Sequence, residues 1–335
     1  MLKRLICTLG GCCFVVFLTV VSFVNSLISG KSNQSDVGLD VSPDGRHLLF
    51  ASAGGPQENL YALDRVTHQV TQLTKNRGYS SYPRYSKDGS LIAYGASKKL
   101  GKASHIYVCR SDGSQIRQIT DGEYYDRMPS FSHDGKSLVF ARAHQRRPYS
   151  FGGYTWDQYD LYTVSLDGSQ LRRITNRNYN QASSPSFSLD GKVVLFGAYL
   201  GQENGFQVCT VTLEEGAVPK AITQGSSHSS PAYSPDGLEI ICVSDSQTPY
   251  DYEVHKMNAD GSDARQLTEN HSYNRLPRYS PAGKHILFLS DPRREHRSDL
   301  WEMDADGAHP HLIADSRLFD DPLNWKPGKQ HNGED

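Results

Sequence analysis

The chain has 335 residues, 21% of them charged and 37% hydrophobic, with a formal net charge of −2. Such a balance offers no basic surplus for a phosphate backbone and excludes a polybasic nucleic-acid binder. The 29 glycines, 16 prolines and 19 tyrosines suit a soluble domain of turns and half-buried short strands.

In chain order, the first element is apolar. Lys3 and Arg4 precede an uncharged stretch from Leu5 to Gly30. Signal-peptide cores run about 7–15 residues, whereas this stretch reaches the roughly 20 that a membrane helix needs. Residues 1–30 are therefore expected to be a helical signal anchor or a long signal peptide, with cleavage left open by the small residues Ser26 and Gly30. Positive charge before the helix places the rest of the chain on the periplasmic or extracellular side of the cytoplasmic membrane. Leu9-Gly10-Gly11-Cys12 is similar to a lipoprotein cleavage box, but the apolar run continues past it. Residues 31–36 are polar and read as a linker.

From residue 37 onward the sequence repeats. Ser-x-Asp-Gly begins at Ser42, Ser86, Ser132, Ser188 and Ser234, with a degenerate copy at Ser280 and a partial one at Lys326. The steps are 44, 46, 56, 46, 46 and 46 residues. A period in the forties with strand-like content predicts a β-propeller. In the repeat that starts near Pro83, the Lys87-Asp88-Gly89 turn is followed by the apolar run Leu91–Tyr94. A polar loop then leads to His105–Cys109, a second Asp-Gly turn at Asp112, and Ile116–Thr120. Asp-Gly supplies the positive φ angles of a hairpin turn, so each repeat is expected to be one four-stranded antiparallel blade. Six second, third and fourth strands can be counted in this way. The expected fold is all-β: a six-bladed propeller over residues 37–328, preceded by the apolar helix and followed by a disordered tail at 329–335. Val37–Val41 and Leu323–Trp325 are both candidates to close the ring, and a degenerate seventh blade stays open. Tyr85, Phe131, Phe187, Tyr233, Tyr279 and Trp325 precede the turns and are expected between neighbouring blades.

Chain direction puts both short turns of every repeat on one rim and the two longer loops on the other. Binding is expected on the long-loop rim. There the 56-residue step inserts Arg146, Arg147, Tyr149, Phe151, Tyr154 and Trp156, an arginine–aromatic mixture typical of interface anchors. The other reading is a solvated loop whose rings fold back on the blade. Further basic groups on this rim are Lys98, Lys99, Lys102, Arg142, Arg293, Arg294 and Arg297. At the channel mouth an aromatic or His recurs five residues after the closing Thr, as Tyr79, Tyr125, His228 and Tyr273, with Phe319 at the matching place after Ala314 and Asn180 after Thr175. Asp126, Arg127 and Arg275 lie close by in sequence. This set could hold a peptide, a sugar or an ion, or the aromatics could simply wedge adjacent blades apart.

No nucleophile elbow, His-Glu-x-x-His helix or phosphate-binding glycine loop is present. His228 and His271 fall on successive mouth loops, but a metal needs three or four converging ligands. Cys109, Cys209 and Cys242 read as small buried apolar residues. No cofactor is expected.

Ser234-Pro235-Asp236-Gly237, with Asn258–Ser262 and the closing Gln266-Leu267-Thr268, resembles the WD-like repeats of the TolB propeller family. The resemblance runs from Val37 to Gly328 and implies a six-bladed extracytoplasmic propeller. In that family TolB works in the periplasm, where its propeller binds the lipoprotein Pal and a preceding α/β domain communicates with TolA. Here about 36 residues precede the first repeat. The expectation is therefore a TolB-like, non-enzymatic propeller that binds an envelope protein or peptide outside an orthologous Tol role. The alternative is a metal-dependent carbohydrate enzyme similar to oligogalacturonate lyases, or a glycan-binding module.

Overall fold

Every Ser-x-Asp-Gly sequence closes a hairpin by the same bonds. Ser42 Oγ donates to the Asp44 carboxylate and accepts the His47 N–H at 2.8 Å, while the Gly45 N–H bonds the Ser42 carbonyl at 2.7 Å. Gly45 has φ of 74°, a left-handed conformation that a side chain would resist. The serine hydroxyl holds Asp44 below the usual carboxylate range, as it does Asp88, Asp134, Asp190 and Asp236. These carboxylates are turn formers and weak bases. At Ser280 the aspartate is replaced by Ala282, yet Ser280 Oγ still accepts the His285 N–H at 3.0 Å.

The computed structural model describes residues 38–52, 57–75, 78–99, 101–148, 154–245, 251–292 and 297–327. The expected leader, linker and tail lie outside the described residues. Among the described residues no helix is long and apolar enough to cross a membrane.

The described chain folds as an all-β propeller. Strands β1 (Leu39–Val41), β2 (His47–Ser52), β3 (Asn59–Asp64) and β4 (Val70–Gln72) form an antiparallel sheet in that order. Three later sheets repeat this plan. They are β13 (Ala182–Phe187) with β14 (Val193–Tyr199), β15 (Phe206–Thr212) and β16 (Lys220–Ala221); β17 (His228–Tyr233) with β18 (Glu239–Ser244), β19 (Glu253–Asn258) and β20 (Arg265–Gln266); and β21 (Tyr273–Tyr279) with β22 (His285–Asp291), β23 (Asp299–Asp304) and β24 (His311–Ala314).

The intervening residues depart from the expectation of six separate blades. β5 (Tyr79–Tyr85), β6 (Leu91–Ser97), β7 (Ser104–Arg110) and β8 (Arg117–Gln118) share one eight-stranded sheet with β9 (Tyr125–Phe131), β10 (Ser137–Pro148), β11 (Tyr154–Ser165) and β12 (Arg172–Arg173). The join is a single parallel pair, Ser104↔Tyr125, supported by the Ser104 N–H bond to the Tyr124 carbonyl at 3.0 Å.

First strands are innermost. β1, β5, β9, β13, β17 and β21 each contact the next, and β21 returns to β1. Their faces are covered by six buried clusters, and the aromatic that precedes each turn sits in one of them. Tyr85 packs with Leu49 and Ile92, Phe131 with Ala93 and Phe140, Phe187 with Val139 and Phe196. Tyr233 packs with Leu195 and Cys242, and Tyr279 with Ile241 and Phe288. Trp325 lies with Leu39, Phe50, Leu289 and Phe319 where the last sheet meets the first.

That last junction answers which end closes the ring. Residues 39–41 supply the inner strand of the first sheet, whereas Leu323–Trp325 forms no strand and acts by packing. The short helix α1 (Arg317–Asp320) presses Phe319 edge-on against Phe50, with ring centroids 5.4 Å apart. Ser52 Oγ donates to the Phe319 carbonyl across the same seam.

Since Phe131 is buried against two sets of strands, Phe131→Ala is expected to lower stability by about 3–5 kcal/mol. Urea unfolding checks this, and a loss below about 1 kcal/mol would contradict the seam assignment.

Candidate functional site

The 56-residue step builds a longer hairpin. β10 and β11 each have 12 residues, against six or seven in the other second and third strands. Pairing runs from Ser137↔Ser165 to Pro148↔Tyr154, while β9 stops at Ala143↔Tyr125. Residues 144–148 and 154–158 therefore form a two-stranded ribbon beyond the first strand.

Its side chains are held in a chain of contacts. Arg146 lies opposite Trp156 in register and places its guanidinium 3.6 Å from the Tyr154 ring centroid. Arg147 pairs with Asp157 at 2.6 Å. Tyr154 is 49% exposed. Trp156 stacks on Tyr125, with centroids 5.7 Å apart and planes 24° from parallel. This stack joins two sets of residues that the sequence left separate, the insertion and the mouth. A Cβ on Gly101 would sit 3.7 Å from the Tyr154 carbonyl, so the ribbon lies beside the loop of Lys99 and Lys102. Tyr149 and Phe151, expected at the tip, lie outside the described residues, as do Arg293 and Arg294.

Tyr79, Tyr125, His228 and Tyr273 each begin a first strand. Tyr79 bridges to Glu58 of the preceding sheet, and Tyr273 meets Tyr252 edge-on at 5.2 Å. Phe319, at the matching place, is buried in the closing seam. Asp126 does not present its carboxylate to the mouth. It is fully buried, receives Arg142 Nε at 2.6 Å and Nη2 at 2.8 Å, and accepts the Thr120 hydroxyl at 2.6 Å. Burial pushes its carboxyl upward, and the Arg142 fork opposes that shift. Arg142, expected as a basic rim group, is itself packed over the Tyr124 and Tyr162 rings.

Sequence reading missed the wider rule behind that pair. The closing threonines are clamps. Thr175, Thr223 and Thr268 accept the N–H groups of Leu161, Val208 and Val254 at 2.9 Å, and donate to Asp160, Gln207 and Glu253. The signal was available as an acid or amide immediately before the third-strand apolar residue in five of the six repeats; in the second, His105 stands there and Thr120 donates to Asp126 instead. The acids then organise the loops to the next sheet: Asp160 accepts the Arg177 N–H at 2.9 Å, and Glu253 the His271 N–H at 2.8 Å.

The first strands carry two tiers of matching positions. The upper one, five residues before each turn serine, carries Ser81, Arg127, Ser183, Ser229 and Arg275; the lower, two residues before it, carries Asp40, Arg84, Ser130, Ser186, Ala232 and Arg278. Between the tiers the register of β5, β9, β13, β17 and β21 shifts. At each shift a residue before proline takes positive φ: Tyr82, Met128, Ser184, Ser230 and Leu276, all between 49° and 55°. Gly38 holds the same place in the first sheet at φ 52°, and a Cβ there would lie 2.6 Å from Tyr82 Cα. Left-handed non-glycine residues cost of order 1–3 kcal/mol each, so the surrounding seams must hold this collar in place. Arg127 lies over the Tyr159 ring at 4.4 Å and donates to the Ala182 carbonyl at 3.3 Å. Arg275 donates to Ser298 Oγ at 2.9 Å, Arg84 to the Leu39 carbonyl at 2.7 Å, and Arg278 to the Pro277 carbonyl at 3.0 Å.

His228 and His271 do not converge. His228 is buried and its Nδ1–H donates to the Ser226 carbonyl at 2.7 Å, while His271 reaches Asp251 at 3.2 Å. Among the described residues no group of three or more His, Cys, Asp or Glu side chains is placed to hold a metal ion. The neighbour of His228 is His255, which burial, and then the charge of His228, push down to about 4. Burial also lowers His228. A histidine depressed in the folded state leaves protons to the unfolded chain. Stability is thus full above about pH 6.5 and falls as pH drops toward 4. His255→Gln is expected to flatten the melting temperature profile across that window by up to one proton, and parallel profiles would contradict the burial argument.

Comparison with known proteins agrees with this architecture. A curated relative, the Tol-Pal system protein TolB of Francisella tularensis subsp. tularensis, is 32% identical over 210 residues, covering 62% of this chain and 45% of the relative. The chain thus spans less than half the length of that relative. Among solved structures, TolB from Acinetobacter baumannii aligns with a TM-score of 0.63 at 22% identity, covering 87% of this chain and 67% of that one. An oligogalacturonate lyase in complex with manganese aligns with a TM-score of 0.59 at 18% identity, covering 83% and 76%. At these identities the structural likeness is one of fold. Residues 24–152 and 149–327 match the family described as TolB beta propeller domain, and the chain belongs to that family.

Proposed function

We propose that this protein is a six-bladed, non-enzymatic propeller that binds an envelope protein or peptide at the joined surface of the β10–β11 ribbon and the channel mouth. The Tyr125–Trp156 stack carries this reading, because it ties a projecting arginine–aromatic arm to the rigid inner strands. Aromatic and arginine side chains fixed in this way lose little entropy on binding. The six seam clusters support counting the eight-stranded sheet as two blades. The Lys3–Arg4 charge before the apolar leader supports an extracytoplasmic position, either membrane-anchored or released after cleavage. The likeness to Tol-Pal system proteins supports a protein partner in an envelope assembly.

The test immobilises the protein and quantifies proteins captured from envelope extracts, with wild type beside an Arg146→Glu/Tyr154→Ala variant. Both substitutions fall on the projecting ribbon, so the melting temperature is expected to stay within a few degrees. A partner retained by wild type and reduced at least about tenfold with the variant is the expected result. Equal recovery of every captured protein would contradict it.

A further inference from the structure

We propose that the short-turn rim carries a second docking groove, between the sheet of β13–β16 and the sheet of β17–β20, for a partner segment that presents arginine beside apolar side chains. The inference goes beyond the ribbon and the mouth, which belong to the long-loop rim. The groove has a volume of about 610 Å³, and its lining combines apolar Leu189, Val193 and Ile222 with the carboxylates of Asp190, Asp236 and Asp260.

The space exists because one seam departs from the repeat. In the next seam, Tyr279 donates its hydroxyl to Glu239 at 3.2 Å, and Lys256 pairs with Glu239 at 3.0 Å. The residues at the corresponding places in the groove are Tyr233, Val193 and Thr210. Val193 and Thr210 cannot form that ion pair, and the cavity opens where it would lie.

The turns depart from the repeat as well. Leu238 is 69% exposed, at a place where the other turns carry Arg46, Ser90, Lys136, Lys192 and Lys284. Leu189 is 47% exposed and reaches the next turn, where a Cβ on Gly237 would sit 3.4 Å from Leu189 Cβ. Prolines make that contact elsewhere, Pro43 beside Gly89 and Pro235 beside Gly283. Two exposed leucines on successive turns contribute little to the fold, whereas apolar surface rimmed by polar groups marks an interaction site.

Charge selects the occupant. Oδ1 of Asp190, Asp236 and Asp260 each accepts a serine hydroxyl at 2.6 Å and a main-chain N–H at 2.9–3.1 Å. These bonds hold the three carboxyls below their usual range and keep them charged at neutral pH. Their Oδ2 atoms accept no hydrogen bond and enter no ion pair among the described residues. Lys220 is the one cation in the lining, so three carboxylates face one ammonium. Arginine suits this surface, with an aliphatic stem to lie on the leucines and a planar fork for the open carboxylate oxygens. A neutral or acidic segment would desolvate the carboxylates without pairing them. With the ribbon on one rim and this groove on the other, the propeller would hold two partners at once.

The probe is a fluorescein-labelled hexapeptide of alternating leucine and arginine. One control replaces arginine by glutamine, another replaces leucine by serine, and spermine serves as a non-peptide cation. Leu238→Lys supplies the basic residue found at that place in other turns, and Asp260→Asn removes one charge while keeping an oxygen for the Ser262 bonds. Both positions are exposed, so melting temperatures are expected to stay within a few degrees of wild type. Fluorescence anisotropy at low ionic strength is expected to show binding of the leucine–arginine peptide. Leu238→Lys weakens it at least about fivefold, Asp260→Asn weakens it about threefold, and both control peptides bind weakly. The Arg146→Glu/Tyr154→Ala protein is expected to keep this binding, which separates the groove from the ribbon. The proposal is overturned if wild type ignores the peptide, if Leu238→Lys and Asp260→Asn bind it equally well, or if the ribbon variant loses it. It is also overturned if either control peptide binds as tightly, or if spermine displaces the probe at lower concentration than the unlabelled peptide does.

Discussion

The burial of sheet faces at the seams is the interaction on which the structure depends. A four-stranded sheet of this size is apolar on both faces and cannot hide either alone. Phe50, Phe140, Phe196 and Phe288 stand at matching places in second strands and are buried completely or nearly so, each in a seam cluster. Such faces find cover only against a neighbouring sheet, and the last sheet finds it only if the ring closes. No disulfide takes part in this among the described residues. Cys109, Cys209 and Cys242 are free, buried thiols pushed up to about 12 by burial.

Closure has a consequence at the axis. Six first strands form the inner cycle, and five of them carry a pre-proline bulge between their two tiers of positions. Contacts pass from bulge to bulge: Gly38 leaves no room for a Cβ beside Tyr82, and the Ser184 N–H points to Met128 Sδ at 3.2 Å. The collar is thus set by the seams, and the tier residues on either side of it gain fixed positions. Function can vary at those positions and in the outer loops while the seams stay unchanged, which suits a scaffold that presents a binding surface.

Much of this was legible in the sequence. The Ser-x-Asp-Gly period carried the sheets, because serine, aspartate and glycine each make a local bond or angle that needs no tertiary context. The turn-preceding aromatics were placed correctly for the same reason that they repeat. Asp126 misled, because its partner Arg142 lies 16 residues away on another strand and only pairing brings them together. The bulges were hidden too, since a residue before proline ordinarily prefers extended geometry. The Tyr125–Trp156 stack depends on the register of a hairpin longer than its counterparts. Merging of two strand sets into one sheet rests on a single backbone pair, which no side-chain pattern announces.

The central claim is that the first and last sheets cover each other around α1. A double-mutant cycle of Phe50→Ala and Phe319→Ala in urea tests it most directly, since these rings meet only if the ring is closed. The account predicts one cooperative transition and a coupling of about 0.5–1.5 kcal/mol between the two positions. Strict additivity, with separate transitions for the two halves of the chain, would contradict it.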